Sequence, residues 1–354
     1  MGLKILHSAD WHLDSPFAGF DDSQRALLKQ EQLSIPGKIS QLCRREKCDL
    51  MLLAGDIFDG EPTRETVEAL KKALSKCGAR VFITPGNHDF CAPGSVWLEE
   101  NWPENVYVFT GGLEAVTIPD LNCRVYGAGY QSMDSAPLLE NFRAEGSEKY
   151  CIAVLHGDPT RKDSPYCPIT AQQVRDSGLQ YLALGHIHKA GAFHAGGTLC
   201  AWPGCPMGRG WDETGEKGVC IVTVEDSASL RAVALDTIRF HELKADISSG
   251  AEAALEKILP PAGSRDFFRV TLTGSGEADI FRLTRRFSAV PNLTLRDETL
   301  PPLDIWGDTG ADTLEGVYFR LLREAMEADP DSREEIQLAA EISRKLLEGR
   351  EVTL

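Results

Sequence analysis

The feature that most constrains this chain is a recurring pattern, in which a short apolar run ends in glycine, aspartate, asparagine or histidine. The runs occupy residues 3–6, 50–54, 81–84, 151–155 and 181–184. Because each run is almost wholly apolar, the pattern predicts strands that are buried on both faces. Polar residues that follow buried strands are typical of sheets whose carboxyl ends carry a functional site.

Helical patterns separate these runs. They predict helices over 23–33, 37–47 and 63–77, with Pro36 between the first two and Thr63 near the start of the third. Alternation of strands and helices predicts an α/β core. Further strands are expected over 106–109, 124–126, 198–202 and 218–224. Several of these have no helix between them, so we expect a mixed sheet or two sheets packed together.

The pattern changes near residue 240. A helix near 251–259, a strand near 267–272, a basic helix near 280–287 and a strand near 293–296 predict a small α/β accessory domain. From residue 313, two amphipathic helices are expected on either side of Pro330. The predicted division is a core domain at 1–240, an accessory capping domain at 241–310 and a C-terminal helical segment at 311–354.

Composition excludes several classes of protein. The formal net charge of −16 over 354 residues has the wrong sign for a broad nucleic-acid-coating surface. No apolar stretch reaches the ~20 residues of a membrane span, and no secretory signal is visible. The 10 cysteines include no C-x-x-C pair, which predicts reduced thiols in a cytoplasmic protein. Any metal must therefore be held by histidine, aspartate and asparagine.

Five polar clusters follow apolar runs and contain five of the 8 histidines. They are D-W-H at 10–12, G-D at 55–56, G-N-H-D at 86–89, H-G at 156–157 and G-H-I-H at 185–188. One such cluster is common by chance, but five of them in this order favour a site. Of the other histidines, His7 is expected in the core, and His194 and His241 are expected at the surface.

The ordered clusters resemble the signature of the calcineurin-like metallophosphoesterases, over roughly the first 200 residues. The segments 8–13, 55–59 and 185–189 further resemble the DNA repair exonucleases of the SbcD type. The similarity continues through 203–209 and from Glu213 to Gly218, and is nearest to the YhaO-like branch. It implies an α/β fold with a β-sandwich core flanked by helices.

The resemblance also implies two bound divalent metal ions. A phosphodiester is anionic and resists nucleophiles, and two cations about 3.5–4 Å apart can generate hydroxide and clamp the in-line transition state. The absence of thiolate ligands favours manganese, with iron or zinc as alternatives. The implied ligands are Asp10, His12 and His188 for one ion, Asn87, His156 and His186 for the other, and Asp56 between the two.

By the same resemblance, His88 would face the scissile phosphate and stabilise its charge or protonate the leaving oxygen. Asp89 would hold the His88 ring in one tautomer, as carboxylates behind catalytic imidazoles do. An alternative stays open for Asp59, Asp89 and Asp158, because each could equally stabilise a turn or cap a helix.

Arginines supply candidate substrate contacts, because a guanidinium binds two phosphate oxygens at once. Arg209 lies in a Pro-Gly loop and is a candidate contact to the substrate phosphate. A basic cluster at Arg282, Arg285 and Arg286 is a second candidate. A solvated helix face is an equally good interpretation of that cluster.

Together these features predict a dinuclear metal-dependent phosphodiesterase that acts on DNA ends, as a DNA repair exonuclease or nuclease subunit. The resemblance implies that the C-terminal helices dock onto the coiled-coil base of an SbcC- or SMC-like ATPase. Two alternatives stay open: a phosphodiesterase or phosphatase for small nucleotides, which the acidic charge favours, and an adaptor whose metal site contributes little. Homodimer formation is also left open.

Overall fold

The structure is a computed structural model that describes residues 2–301, 303–350 and 352. The chain divides into two compact units. The first comprises residues 1–241 and 265–267, and the second comprises residues 242–264 and 268–354. Among the described helices, none combines the length and the apolar character that a bilayer-spanning segment needs.

The described chain contains fifteen strands, and helices separate only some of them. The strands are β1 (Leu3–Ser8), β2 (Leu50–Ala54), β3 (Arg80–Thr84), β4 (Val106–Val108), β5 (Glu114–Ile118), β6 (Cys123–Gly127), β7 (Tyr150–His156), β8 (Tyr181–Gly185), β9 (Gly191–Ala195), β10 (Thr198–Trp202), β11 (Gly218–Val224), β12 (Ala228–Ala234), β13 (Phe240–Asp246), β14 (Phe267–Thr273) and β15 (Leu293–Asp297). The α-helices are α1 (Asp22–Glu46), α2 (Arg64–Leu74), α3 (Val96–Glu99), α4 (Ala171–Asp176), α5 (Ala251–Ile258), α6 (Ile280–Arg286), α7 (Leu314–Ala328) and α8 (Arg333–Leu347). Short 3₁₀ turns lie at Pro119–Leu121 and Pro330–Ser332.

Two six-stranded sheets form the first unit. Their strand orders are β12-β11-β1-β2-β3-β4 and β5-β6-β7-β8-β10-β9. In the first sheet β1, β2, β3 and β4 are parallel, whereas β11 and β12 join antiparallel. In the second sheet β6, β7, β8 and β10 are parallel, and β5 and β9 form antiparallel edges. Both sheets are therefore mixed, which confirms the sequence prediction.

The strand β2 shows why the apolar runs have no polar face. Leu50, Leu52 and Ala54 belong to a core shared with residues of the second sheet. Met51 and Leu53 face the opposite way and pack with residues of α1 and α2. On the outer face of the second sheet, a further core joins its strands to α4. Burial on both faces, which the apolar runs predict, is thus confirmed, and the first unit is a β-sandwich flanked by helices.

The helix α1 corrects one expectation. The sequence predicted a break at Pro36, but a single helix of 25 residues includes that proline. A proline in a helix interior removes one backbone hydrogen bond and costs about 3 kcal/mol. The neighbours Leu28, Ile35 and Ile39 are completely buried. Burial of each such side chain contributes roughly 1.5–3 kcal/mol, so packing outweighs the local defect.

The second unit has a small sheet and two groups of helices. Its sheet has the order β13-β14-β15, with β14 and β15 parallel. Val270 and Leu272 from β14, Leu255 from α5 and Leu283 from α6 lie in one buried core. The helices α7 and α8 also belong to this unit.

Candidate metal centre

The predicted site residues follow neighbouring parallel strands. In the first sheet, Asp10 and His12 follow β1, Asp56 follows β2, and Asn87 and His88 follow β3; in the second sheet, His156 ends β7, and His186 and His188 follow β8. The strands β1, β2 and β3 are adjacent, as are β7 and β8. The carboxyl ends of parallel strands meet at one edge of a sheet, and the two sheets pack face to face. All eight residues are therefore brought to one place.

The backbone at this place is strained. Asp10, His12, Asp56 and His186 have φ of 54°, 45°, 50° and 87°. Non-glycine residues avoid this left-handed region, at a cost of order 1–3 kcal/mol each. Hydrogen bonds hold the conformation, from Asp10 N to the Gly55 carbonyl (3.0 Å) and from His12 N to the Asp56 carbonyl (2.9 Å). The side chains are thereby aimed inward rather than along the strand direction.

A first group of donor atoms is formed by Asp10, His12 and His188. His188 Nδ1 lies 2.5 Å from Glu213 Oε1, and His12 Nδ1 lies 3.4 Å from Asp59 Oδ1. A carboxylate only accepts, so both Nδ1 atoms carry the proton and each Nε2 presents a lone pair. These two Nε2 atoms lie 3.1 Å apart. Two facing lone pairs repel each other unless a cation or proton lies between them.

A second group is formed by Asp56, Asn87, His156 and His186. His156 Nδ1 lies 2.9 Å from the carbonyl oxygen of Ala54, to which it donates, so its Nε2 also presents a lone pair. Asn87 Oδ1 lies 2.9 Å from His156 Nε2 and 3.3 Å from His186 Nδ1. Asn87 Oδ1 and His156 Nε2 are therefore two acceptors that face each other.

Asp56 lies between the two groups. Its Oδ2 is 3.6 Å from His12 Nε2 and 3.4 Å from His156 Nε2. The other carboxylate of the site, Asp10, has a buried Oδ2 for which the described residues provide no hydrogen-bond partner. A buried carboxylate oxygen without a partner is costly unless it meets a cation. The donor set, which consists of nitrogen and oxygen atoms only, therefore fits two divalent cations.

Gly86 is required by the position of Asp56. A Cβ atom at residue 86 would lie 2.2 Å from Asp56 Oδ1 and 2.7 Å from the Asp56 backbone nitrogen. Neither atom can move away easily, since Asp56 Oδ1 also accepts a hydrogen bond from His88 N at 2.9 Å. Only glycine fits here without displacing the carboxylate.

His88 differs from the donor residues because its side chain is 45% exposed. Its Nδ1 lies 3.0 Å from Asp59 Oδ1. The hydrogen bond with Asp59 raises the pKa of His88 above its ordinary value. The imidazole therefore stays protonated to a higher pH, which suits a group that stabilises or protonates a phosphate oxygen.

The expected contact between Asp89 and His88 is wrong. Asp89 is buried and accepts backbone hydrogen bonds from Gly86 N (2.7 Å), Ile57 N (2.9 Å) and Phe58 N (3.1 Å). Neighbours in a loop point in different directions, so adjacency in sequence did not bring the carboxylate to the ring. Asp89 instead ties the loop after β2 to the loop after β3. The turn-stabilising alternative describes it better than a catalytic one.

Two residues in this centre had no role assigned from the sequence. Asp59, left open as a turn residue, contacts both His12 and His88 and accepts a hydrogen bond from Ser15 Oγ. Glu213 contacts His188 from 25 residues away. Burial by itself would raise the pKa of Glu213, but the hydrogen bond from His188 holds it well below its ordinary value. In the sequence, a role for these two residues was indicated only by their position in segments that resemble the family.

Arg209 is engaged with Glu213. Its Nη2 donates to Glu213 Oε1 at 3.1 Å, and its backbone N donates to Glu213 Oε2 at 2.8 Å. Arg209 Nη1 also lies 3.9 Å from Asp59 Oδ2. The side chain lies beside the site, where it binds carboxylates that support the histidines; its contact with a substrate phosphate stays a prediction. Its Nε is buried and has no partner among the described residues.

The sequence matches the model of a protein family, and the match identifies the kind of centre. The model of the calcineurin-like phosphoesterases matches residues 3–190, which is more than half of the chain. The chain belongs to this family. It is therefore a hydrolase of the metallophosphoesterase type. Groups of side chains that could hold metal ions are present among its described residues.

The chain is also similar in sequence to individual proteins of this kind. The chain is 35% identical over 240 residues to an uncharacterized metallophosphoesterase, YhaO, of Bacillus subtilis, and the match covers 63% of this chain and 57% of YhaO. It thus spans little more than half the length of that relative. The SbcD component of nuclease SbcCD from Staphylococcus epidermidis is 22% identical, with 77% of this chain and 79% of that relative covered. A solved dimetal phosphatase from Danio rerio is 14% identical over 65% of this chain and 95% of that chain, with a TM-score of 0.44.

The remaining histidines lie away from the phosphoesterase centre's donor groups. His7 is fully buried, and its ring contacts the Tyr181 hydroxyl (2.7 Å) and the Leu184 carbonyl (3.0 Å). Burial lowers the pKa of His7 to about 3, so it is a neutral core histidine, as predicted. His194 is exposed on β9. His241, expected at the surface, is half-buried and contacts Asp266 Oδ2 at 3.0 Å.

The basic cluster on α6 is neutralised within the second unit. Arg282 pairs with Glu252 at 2.7 Å, and Arg286 pairs with Glu256 at 2.7 Å. Arg285 lies over the ring of Phe281 at 5.8 Å. Ion pairs between exposed side chains of neighbouring helices are ordinary surface features, so the solvated-face interpretation is favoured over a phosphate site.

Proposed function

We propose that this protein is a dinuclear metal-dependent phosphodiesterase that hydrolyses DNA phosphodiester bonds. The observation that carries the proposal is the convergence of carboxylate, imidazole and amide donor atoms beside an exposed, carboxylate-supported His88. Two relatives, at 22% and 25% identity, are named as a subunit of a nuclease, which supports DNA as the substrate class. The proposed activity is cleavage at DNA ends, with no polarity assigned.

The proposed ligands of one ion are Asp10, His12 and His188. Those of the other are Asn87, His156 and His186, with Asp56 between the two. When bound, two such cations activate water and neutralise charge on the phosphoryl group. Manganese is proposed, because nitrogen and oxygen donors without thiolate suit it, and iron and zinc are the alternatives.

Side chains around the centre hold the proposed metal ligands in position and supply a proton to the substrate. Glu213 and Asp59 hold the imidazoles of His188 and His12, so that each Nε2 faces inward. His88, held by Asp59, donates to a non-bridging oxygen or to the leaving oxygen of the phosphodiester. Arg209 is proposed as a further contact to the substrate phosphate. Its role there is secondary to that of His88, because Glu213 already binds its guanidinium.

The test is a nuclease assay on defined DNA ends with the purified full chain and Mn²⁺. We expect His88→Ala to abolish cleavage, while metal analysis shows the wild-type metal content. His194→Ala is the matched control, because His194 is an exposed histidine on β9 away from the centre. Absence of cleavage of single- and double-stranded DNA by metal-loaded wild type, at any salt concentration, would refute the proposal.

The acidic charge favours a second candidate within the same class. A net charge of −16 disfavours a polyanion, so a small nucleotide is the alternative substrate. Competition between DNA and a small nucleotide for the same metal-loaded protein distinguishes the two. If the protein binds DNA without a partner, its affinity for DNA should depend only weakly on salt concentration. The reason is that few phosphates are neutralised, and the logarithm of the binding constant falls with the logarithm of the salt concentration by about 0.9 per phosphate contact.

An ATPase partner is proposed for the C-terminal segment, in a complex that acts on DNA. The helices α7 and α8 expose Leu314, Leu321, Leu346 and Leu347. The names of two relatives describe one component of SbcCD, which supports assembly with a second protein. An adaptor role is the competing interpretation. Cells that tolerate His88→Ala but not the loss of residues 313–354 would favour it.

We propose that the chain has three domains, at 1–240, 241–310 and 311–354. All 10 cysteines are free thiols, which fits the reducing conditions of the proposed cytoplasmic location. A homodimer remains an option, which the mass of the purified protein in solution would test.

A further inference from the structure

A cavity of about 920 Å³ opens beside His88, outside the cluster of metal-type donors. Its walls come from the start of α2, the loop after His88 and the helix α3. The lining residues on which the following argument depends are Arg64, Phe90, Ala92, Ser95 and Trp97. The volume lies within the range of small-molecule sites.

The wall of this cavity is rigid and aromatic. Trp97 is 3% exposed, and its ring lies 5.0 Å from that of Trp102 and 5.2 Å from that of Phe58. Phe90 is only half-buried and also lines the cavity. An accessible aromatic ring is a surface on which a nucleic-acid base can stack.

Two polar atoms at this cavity are buried without a partner. They are the indole Nε1 of Trp97 and the hydroxyl Oγ of Ser95, for which the described residues supply no hydrogen bond. Both atoms have almost no accessible surface, so they lie behind the cavity wall and could donate to a ligand only if neighbouring side chains shifted. A base carries ring nitrogens and carbonyl oxygens that accept from N–H and O–H groups.

The charge around the cavity selects against a second phosphate. Exposed lining residues include Glu61, Glu99 and Glu100, together with Arg64. Glu100 is paired with Lys71 at 2.8 Å, and Glu61 and Glu99 have no ion pair among the described residues. A neutral base and sugar can therefore enter, whereas a phosphate would meet carboxylates.

We propose that the cavity beside His88 binds the nucleoside attached to the scissile phosphate. This inference rests on the proposed phosphodiesterase activity, because His88 links the cavity to the metal centre. The substrate unit is thus one neutral nucleoside next to one phosphate, and Phe90 supplies the stacking surface.

The first test measures adenosine binding to the full chain by calorimetry, with and without Mn²⁺. We expect equal affinity in both conditions, because adenosine carries no phosphate for the metals. Phe90→Ala should weaken binding at least fivefold, since stacking of a base contributes about 1–3 kcal/mol. Phe142→Ala is the matched control, a half-buried phenylalanine that packs on Tyr126 and does not line the cavity.

A second variant, Ala92→Trp, fills the cavity without removing any core side chain. It should abolish adenosine binding, and it keeps the inference testable if Phe90→Ala does not fold. In parallel, the KM for thymidylyl-thymidine should rise at least fivefold in both variants, with metal content unchanged.

The outcomes separate the two proposals. Wild type that hydrolyses thymidylyl-thymidine but does not bind adenosine, or variants that bind adenosine as wild type does, would overturn the nucleoside site and leave the phosphodiesterase standing. Wild type that binds adenosine through this cavity but cleaves no phosphodiester would refute the enzymatic proposal alone.

Discussion

The substitution Asp59→Asn tests how this centre holds its catalytic proton. Asp59 Oδ1 lies 3.0 Å from His88 Nδ1, and the carboxylate raises the pKa of His88. The protonated imidazole is present below that pKa and is lost as the pH rises through it. Because asparagine keeps an oxygen acceptor but no charge, we expect the pKa of His88 to fall. The basic limb of the pH–rate profile should then move to lower pH.

The size of the change follows from the distance. His88 is 45% exposed, so the aqueous dielectric constant is the appropriate conservative choice. Two unit charges at 3.0 Å then interact with about 1.4 kcal/mol. About 1.4 kcal/mol corresponds to a change of roughly one in pKa. The basic limb of the profile should therefore move down by about one pH unit.

The assay is kcat/KM against pH for thymidylyl-thymidine, at saturating Mn²⁺ and constant ionic strength. Asp59 also contacts His12 at 3.4 Å, so the metal content of each sample must be measured. His194→Ala, whose histidine lies away from the centre, is the control and should keep the wild-type profile. An unchanged basic limb in fully metal-loaded Asp59→Asn would refute the reasoning.

Three further substitutions test the supports of the centre. Gly86→Ala should weaken Mn²⁺ binding more than tenfold in titration calorimetry while circular dichroism stays native, because the new Cβ would lie 2.2 Å from Asp56 Oδ1; wild-type affinity would contradict the packing argument. Asp89→Ala should lower the free energy of unfolding in urea by about 3 kcal/mol, since three buried N–H groups lose their acceptor; a loss below about 1 kcal/mol would show that the loops relax or that water replaces the carboxylate. Glu213→Gln should reduce metal affinity about 10- to 100-fold, because the carboxylate that orients His188 loses its charge; an unchanged metal content after dialysis would show that the imidazole needs no such support.

Much of the centre was predictable from local sequence. Short apolar runs without a polar face are typical of strands buried on both sides, and β2 has that environment in full. The residues that follow parallel strands share one edge whatever the loops do. The donors from Asp10 to His188 therefore converge as expected, and the chain's membership of the phosphoesterase family agrees with them.

The supporting contacts were decided by the tertiary structure. Whether Asp59 or Asp89 contacts His88 depends on how two loops are folded against each other, and the neighbour in sequence was the wrong choice. Glu213 contacts His188 although 25 positions and the strands β9 and β10 separate them in the sequence. The interior Pro36 is tolerated because packing stabilises α1. Periodicity reports which face of an element is buried. The direction of a side chain in an irregular loop depends instead on hydrogen bonds with distant segments, which form only when the sheets have packed.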